Sequence, residues 1–104
     1  MMLECDPYLE RIRDIVLDAL SGYAVTVYLF GSRARGSARR ASDVDIAVEA
    51  REPLPPQVLA RLRDRLEEST VPYRVEILDF ASAGNDLRKR IKQEGLVWNA
   101  SANA

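Results

Sequence analysis

Two short apolar runs joined by a basic segment of fixed length constrain this chain most. The first, Val25 to Phe30, is β-branched and aromatic, and Gly31-Ser32 breaks it. With ten residues between, Ser32 is followed by Asp43-Val44-Asp45, which opens the second run through Ile46-Ala47-Val48. On an extended strand, side chains at i and i+2 point to the same face. Asp43 and Asp45 therefore aim their carboxylates side by side, while Val44, Ile46 and Val48 take the opposite, buried face. Two like charges only ~4–6 Å apart repel each other unless a cation sits between them. A hard divalent cation such as Mg²⁺ takes oxygen ligands and keeps places for substrate phosphates. Gly31-Ser32 supplies the other half of a phosphate site: exposed backbone N–H groups, a hydroxyl and the start of a helix. Either element alone is most often a turn or a strand edge; their joint occurrence at this spacing points to a metal–phosphate site.

The flanking sequence supplies the frame. Asp6-Pro7 reads as an N-cap with proline at the first helical position, followed by Tyr8, Ile12, Ile15, Val16, Ala19 and Leu20 at helical spacing up to Gly22. Ser32 to about Arg40 reads as a loop and short helix carrying Arg33, Arg35, Arg39 and Arg40. After the proline-rich turn at 52–56, Val58, Leu59, Leu62 and Leu66 form the apolar stripe of a second long helix. A third strand is expected from Tyr73 to Phe80. Asn85-Asp86 then caps a third long helix, with Leu87 and Ile91 facing inward and Gly95 closing it. Leu96-Val97-Trp98 is a short strand or packed tail, and 99–104 a frayed end. Helices alternating with strands predict an α+β domain, a small sheet covered by helices, spanning residues 1–98. Strand order and direction are not legible in this pattern.

Composition narrows the chemistry. A chain of 104 residues with 47% hydrophobic and 30% charged residues is one ordinary globular domain. It contains no histidine and a single cysteine, Cys5. Serine–histidine and cysteine–histidine mechanisms, histidine metal ligands, an intrachain disulfide and a Cys-rich zinc site are all excluded. Catalysis must rest on carboxylates, hydroxyls, Lys, Arg and a bound metal. The net charge of −1 argues against a grip on extended nucleic acid. No apolar run approaches the ~20 residues of a membrane span and no signal peptide is visible, so a cytoplasmic protein is expected.

Gly31-Ser32, ten residues, Asp43-Val44-Asp45 resembles the signature of the DNA polymerase beta-type nucleotidyltransferase superfamily. Tyr28-Leu29-Phe30-Gly31-Ser32-Arg33-Ala34-Arg35-Gly36 is similar to its smallest members, the minimal nucleotidyltransferases (MNT). The resemblance covers about Val25 to Trp98 and is closest between Tyr28 and Val48. It implies a mixed sheet with the active site along one edge of its surface, and transfer of an NMP, AMP from ATP above all, with release of pyrophosphate. Two Mg²⁺ ions would clamp the attacking and leaving oxygens. Asp43 and Asp45 would be their ligands, and Ser32, with the backbone N–H groups around Gly31, would contact the β- and γ-phosphates. Gly31 would be glycine because the backbone must turn sharply and let phosphate approach. Arg33 and Arg35 either fork onto phosphate oxygens or lie exposed on the short helix. Matching the family's third carboxylate to Val75-Glu76-Ile77 puts Glu76, as catalytic residue and metal ligand, where aspartate is usual. Asp79 reads as a cap of the following turn.

Family members of this size pair with helical HEPN-type or substrate-binding proteins, some pairs being toxin–antitoxin modules in which the MNT member adds AMP to a hydroxyl of the toxin. The resemblance therefore implies a separate partner chain here. The alternative is a binding module with a decayed site that neutralises or scaffolds its helical partner by contact alone, a reading motivated by Glu76. Transfer to a small molecule such as an aminoglycoside is a third reading, for which no acceptor pocket can be assigned.

Overall fold

Residues 6–35 and 43–99 are described in the computed structural model. Cys5, Gly36, Arg39, Arg40 and 100–104 lie outside the described residues. Helix α1 (Pro7–Ala19) starts where its cap requires. Asp6 is extended, and its carboxylate accepts from the backbone N–H of Tyr8 and Leu9 while Pro7 occupies the first turn. The chain continues through β1 (Val25–Phe30), the short α2 (Ser32–Arg35), β2 (Val44–Ala50), α3 (Pro56–Glu68) and β3 (Val75–Asp79). A 3₁₀ turn (Phe80–Ser82), α4 (Asn85–Glu94) and β4 (Leu96–Val97) complete it.

The four strands form one sheet in the order β3-β2-β1-β4. β1 runs antiparallel to both β2 and β4, whereas β3 is parallel to β2, because α3 crosses over between them. The expected mixed sheet is therefore present, with its order and directions now fixed.

Period-two alternation sorts the strands into two faces. Val27, Leu29, Val44, Ile46 and Val48 pack with Ile12, Val16, Leu59 and Leu62 of α1 and α3 into the larger core. Truncating such a residue, Ile46 for example, typically costs about 2–5 kcal/mol. The opposite face carries a smaller cluster, in which Tyr28 and Ala47 pack against Phe80 and against Ile91 of α4. This second layer leaves the N-terminal ends of β2 and β3 uncovered by that cluster, and Asp43, Asp45 and Glu76 stand there.

Several boundaries differ from those read in the sequence. β3 begins at Val75 rather than Tyr73, and Phe80 leaves it for the 3₁₀ turn, whose cap is Asp79 accepting from Ala81 N–H at 3.1 Å. Gly84, not Asn85-Asp86, is the cap residue of α4. Asn99 is not frayed. Its amide accepts from Val27 N–H at 2.9 Å and donates to the Val25 carbonyl at 2.7 Å, while Trp98 N–H donates to the Val27 carbonyl at 2.8 Å.

Candidate active site

The sheet register assembles the site. Phe30, the last residue of β1, is the cross-strand partner of Asp45, and Asp45 is in turn the partner of Glu76 on β3. Partners on neighbouring strands lie about 4.8 Å apart and share a face. Asp43 is exposed and stands just ahead of β2, where the Val44 N–H already donates to the Arg74 carbonyl at 2.9 Å. Alternation along extended backbone places it on the Asp45 side.

Gly31 closes the arrangement. Its φ of +79° lies in the left-handed region, where a Cβ is disfavoured. Space makes the same demand, since a Cβ there would collide with Asp45 Oδ2 and sit 3.3 Å from Asp45 Cγ. The bend after β1 and the second aspartate of Asp-x-Asp are thus in direct contact, and Ser32 begins α2 immediately beyond.

Glu76 shares the face of Asp45 on the neighbouring strand, and its carboxylate pairs with Arg74, Oε2 to Nε at 3.4 Å. Both side chains are more than half exposed, so this ion pair is weak and exchangeable. Among the described residues no three His, Cys, Asp or Glu side chains form a ready ligand cluster. The donor set nonetheless fits Mg²⁺, which needs only one or two carboxylates when triphosphate oxygens and water complete its shell. Asp45, held against the Gly31 bend, would meet that requirement, and Asp43 would be a second oxygen donor. The pair with Arg74 engages Oε2 of Glu76.

Of the two readings of Arg33, exposure on the short helix does not hold, because the residue is buried to 7% exposure. Its guanidinium lies over the Tyr73 ring, 4.2 Å from the centroid, and pairs with Asp6 Oδ2 at 3.9 Å. A planar guanidinium stacks well on an aromatic face, but no spacing rule reveals a partner so far along the chain. The side chain of Arg35 lies outside the described residues.

Lys92, at the end of the basic stretch Arg88-Lys89-Arg90-Ile91-Lys92 of α4, is also engaged. Glu49 Oε1 accepts from the Tyr28 hydroxyl at 2.9 Å and from Lys92 Nζ at 3.2 Å, next to the Phe80 ring. Burial first, then the hydrogen bond and charge of Glu49, push the Tyr28 pKa above its ordinary 10.0, with Lys92 opposing. The hydrogen bond to Glu49 is the main cause that lifts Lys92 above its ordinary 10.5. Groups raised in the folded state stabilise it below their unfolded values and lose that contribution as pH climbs through the folded ones. Stability should therefore hold to about pH 10 and fall above it. Glu49→Gln should flatten that alkaline decline in denaturant midpoints measured against pH. An unchanged slope would remove Glu49 as its source.

No helix among the described residues is long and apolar enough to cross a membrane. The family model described as "Polymerase beta, Nucleotidyltransferase" matches residues 18–101. The chain is similar to the probable protein adenylyltransferase MntA of Haemophilus influenzae, 41% identical over 68 residues. That match spans 65% of this chain and 60% of the relative's own length. A solved structure described as a minimal nucleotidyltransferase superposes with a TM-score of 0.70 at 33% identity, covering 92% of this chain and 95% of that one. A chain from the complex of a tri-AMPylated Shewanella oneidensis HEPN toxin with an MNT antitoxin superposes with a TM-score of 0.65 at 25% identity, over 93% of this chain and 71% of that one. With a match of this extent laid over the glycine–aspartate contact, the chain belongs to the polymerase beta nucleotidyltransferase family.

Proposed function

We propose that this chain transfers AMP from ATP to a hydroxyl group on a helical HEPN-type partner, and acts as the antitoxin of that pair. The observation that carries the reading is the contact of Gly31 with the Asp45 carboxylate. It brings a backbone bend suited to phosphate against an oxygen donor suited to Mg²⁺. The names of the relatives, a protein adenylyltransferase and an AMPylated HEPN toxin bound to an MNT antitoxin, support the choice of donor and acceptor. The family match over 18–101 supports taking 1–98 as one nucleotidyltransferase domain, and the demand for ATP supports a cytoplasmic setting.

In this reading the backbone N–H groups around Gly31 and the Ser32 hydroxyl hold the β- and γ-phosphates. Asp43 and Asp45, with Glu76 as third carboxylate, would hold two Mg²⁺ ions, whose charge stabilises the attacking and leaving oxygens when bound. The acceptor hydroxyl oxygen forms a bond to the α-phosphorus, the bond to the bridging oxygen breaks, and pyrophosphate departs. The acceptor proton passes to a carboxylate, for which Glu76 on β3, the neighbour of Asp45, is the candidate in this reading. Its extra methylene moves the carboxylate by about 1.5 Å from where the usual aspartate would hold it.

The test is incubation with the HEPN-type partner, Mg²⁺ and ATP labelled in the α-phosphate. Label should enter the partner and raise its mass by whole AMP groups. Absence of transfer from all four nucleoside triphosphates would sink the enzymatic reading. Neutralisation of the partner by contact alone is the second reading, favoured by the Arg74–Glu76 pair, which engages the third carboxylate. An Asp43→Asn, Asp45→Asn chain that still binds and still neutralises its partner would establish it.

A further inference from the structure

Arg33 joins three segments that are remote in sequence. It sits one residue after Ser32, and its guanidinium stacks on Tyr73 at 4.2 Å and pairs with Asp6 at 3.9 Å. The Tyr73 hydroxyl closes the triangle by donating to the same Asp6 Oδ2 at 2.7 Å. Asp6 is itself fixed, since its other oxygen caps α1 through Tyr8 N–H at 2.9 Å. The Tyr8 ring meets Tyr73 edge-on, with centroids 5.6 Å apart.

The placement of Tyr73 matters for the site. Arg74, the next residue, gives its carbonyl to Val44 N–H between the two aspartates, and Glu76 follows two residues later. One buried side chain thus ties the donor half of the site, Gly31-Ser32, to the strand that brings Glu76 beside Asp45. Simple structural filling does not need this composition. An apolar residue would fill the space at lower desolvation cost, whereas a planar cation that stacks and pairs at once fixes orientation.

We propose that Arg33 is a positioning residue, setting the Gly31-Ser32 bend in register with β3 through Tyr73 and Asp6 so that phosphate cradle and third carboxylate are aligned together. This builds on the nucleotidyl-transfer reading, but its test does not depend on turnover. Arg33→Lys keeps the charge and loses the planar stack; Tyr73→Leu keeps apolar bulk and loses the ring. Hydrogen exchange by the intact chain should speed up at least about tenfold at residues 31–34 and 74–77 together in either variant. The double variant should be no worse than the single ones. Tyr73→Phe, which keeps the ring and removes only the hydroxyl, should rescue most of the protection.

With AMP transfer as readout, Arg33→Lys should lower kcat by about 10–100-fold, as misplacement near 1 Å does, with KM for ATP changed less than about threefold. Exchange that rises at 31–34 alone would overturn the proposal, and so would a kcat that survives while exchange rises at both segments. A wild-type chain that shows coupled protection but no transfer would instead count against the nucleotidyl-transfer reading alone.

Discussion

Asp45→Asn should abolish AMP transfer while leaving the fold in place. Asparagine matches aspartate in shape, so its contact with Gly31 survives, and position 45 is only half-buried, so the core does not feel the change. What disappears is the negative charge that would hold Mg²⁺ against the triphosphate. A positioned metal ion supplies several kcal/mol of charge stabilisation, and a loss of about 4 kcal/mol corresponds to roughly 10³-fold in rate. The expected result is therefore a fall of about 10³-fold in kcat at saturating Mg-ATP, together with weakened uptake of Mg-ATP in calorimetry. Circular dichroism and thermal midpoint should stay close to wild type. Retention of more than about a tenth of the activity would take Asp45 out of the machinery. A large drop in midpoint would show instead that the carboxylate is structural.

Gly31→Ala should be the second most damaging single change, and Gly22→Ala is its internal control. Both glycines have positive φ, +79° and +94°. Alanine in such a conformation costs roughly 1–2 kcal/mol, whichever the position. At Gly22 nothing lies within 4 Å of the added methyl, so strain is the whole effect. At Gly31 the methyl meets the Asp45 carboxylate, which must rotate away. Rotation of a short, half-buried group adds less to the loss of stability than the backbone strain, but it displaces the oxygen donor by an ångström or so, enough to cost about 10²-fold in rate. Gly22→Ala should thus lose stability and keep full activity per folded molecule, while Gly31→Ala loses a similar stability and at least about 10²-fold in kcat. Denaturant melts and initial rates on the same samples check both. Equal activities in the two variants would mean that the glycine–aspartate contact has no catalytic bearing.

The parts legible in the sequence are those governed by local periodicity. Val25–Phe30 is a strand because β-branched and aromatic residues run up to a glycine, and the aspartates of 43–45 share a face because alternation puts Val44 and Ile46 in the core. The α1 cap followed from Asp6-Pro7. Features set by residues distant in sequence were hidden. The parallel pairing of β2 with β3, which makes Glu76 the neighbour of Asp45, has no local signature. The inward turn of Arg33 depends on Tyr73, and the engagement of Lys92 depends on Glu49, each on another element. Charged side chains in a basic stretch look alike until the fold supplies their partners. β3 begins at Val75 because Tyr73, though suited to a strand by propensity, is taken up by the contacts with Asp6 and Arg33.

The amide of Asn99 has a consequence beyond anchoring the chain. By accepting from Val27 and donating to Val25, it imitates one more rung of a strand along the outer rim of β1. That rim would otherwise be a template onto which a foreign strand could zip, and β4 itself, two residues long, is too short to serve as one. Together with the Trp98 N–H on the Val27 carbonyl, this one side chain insulates the flank against edge-to-edge polymerisation.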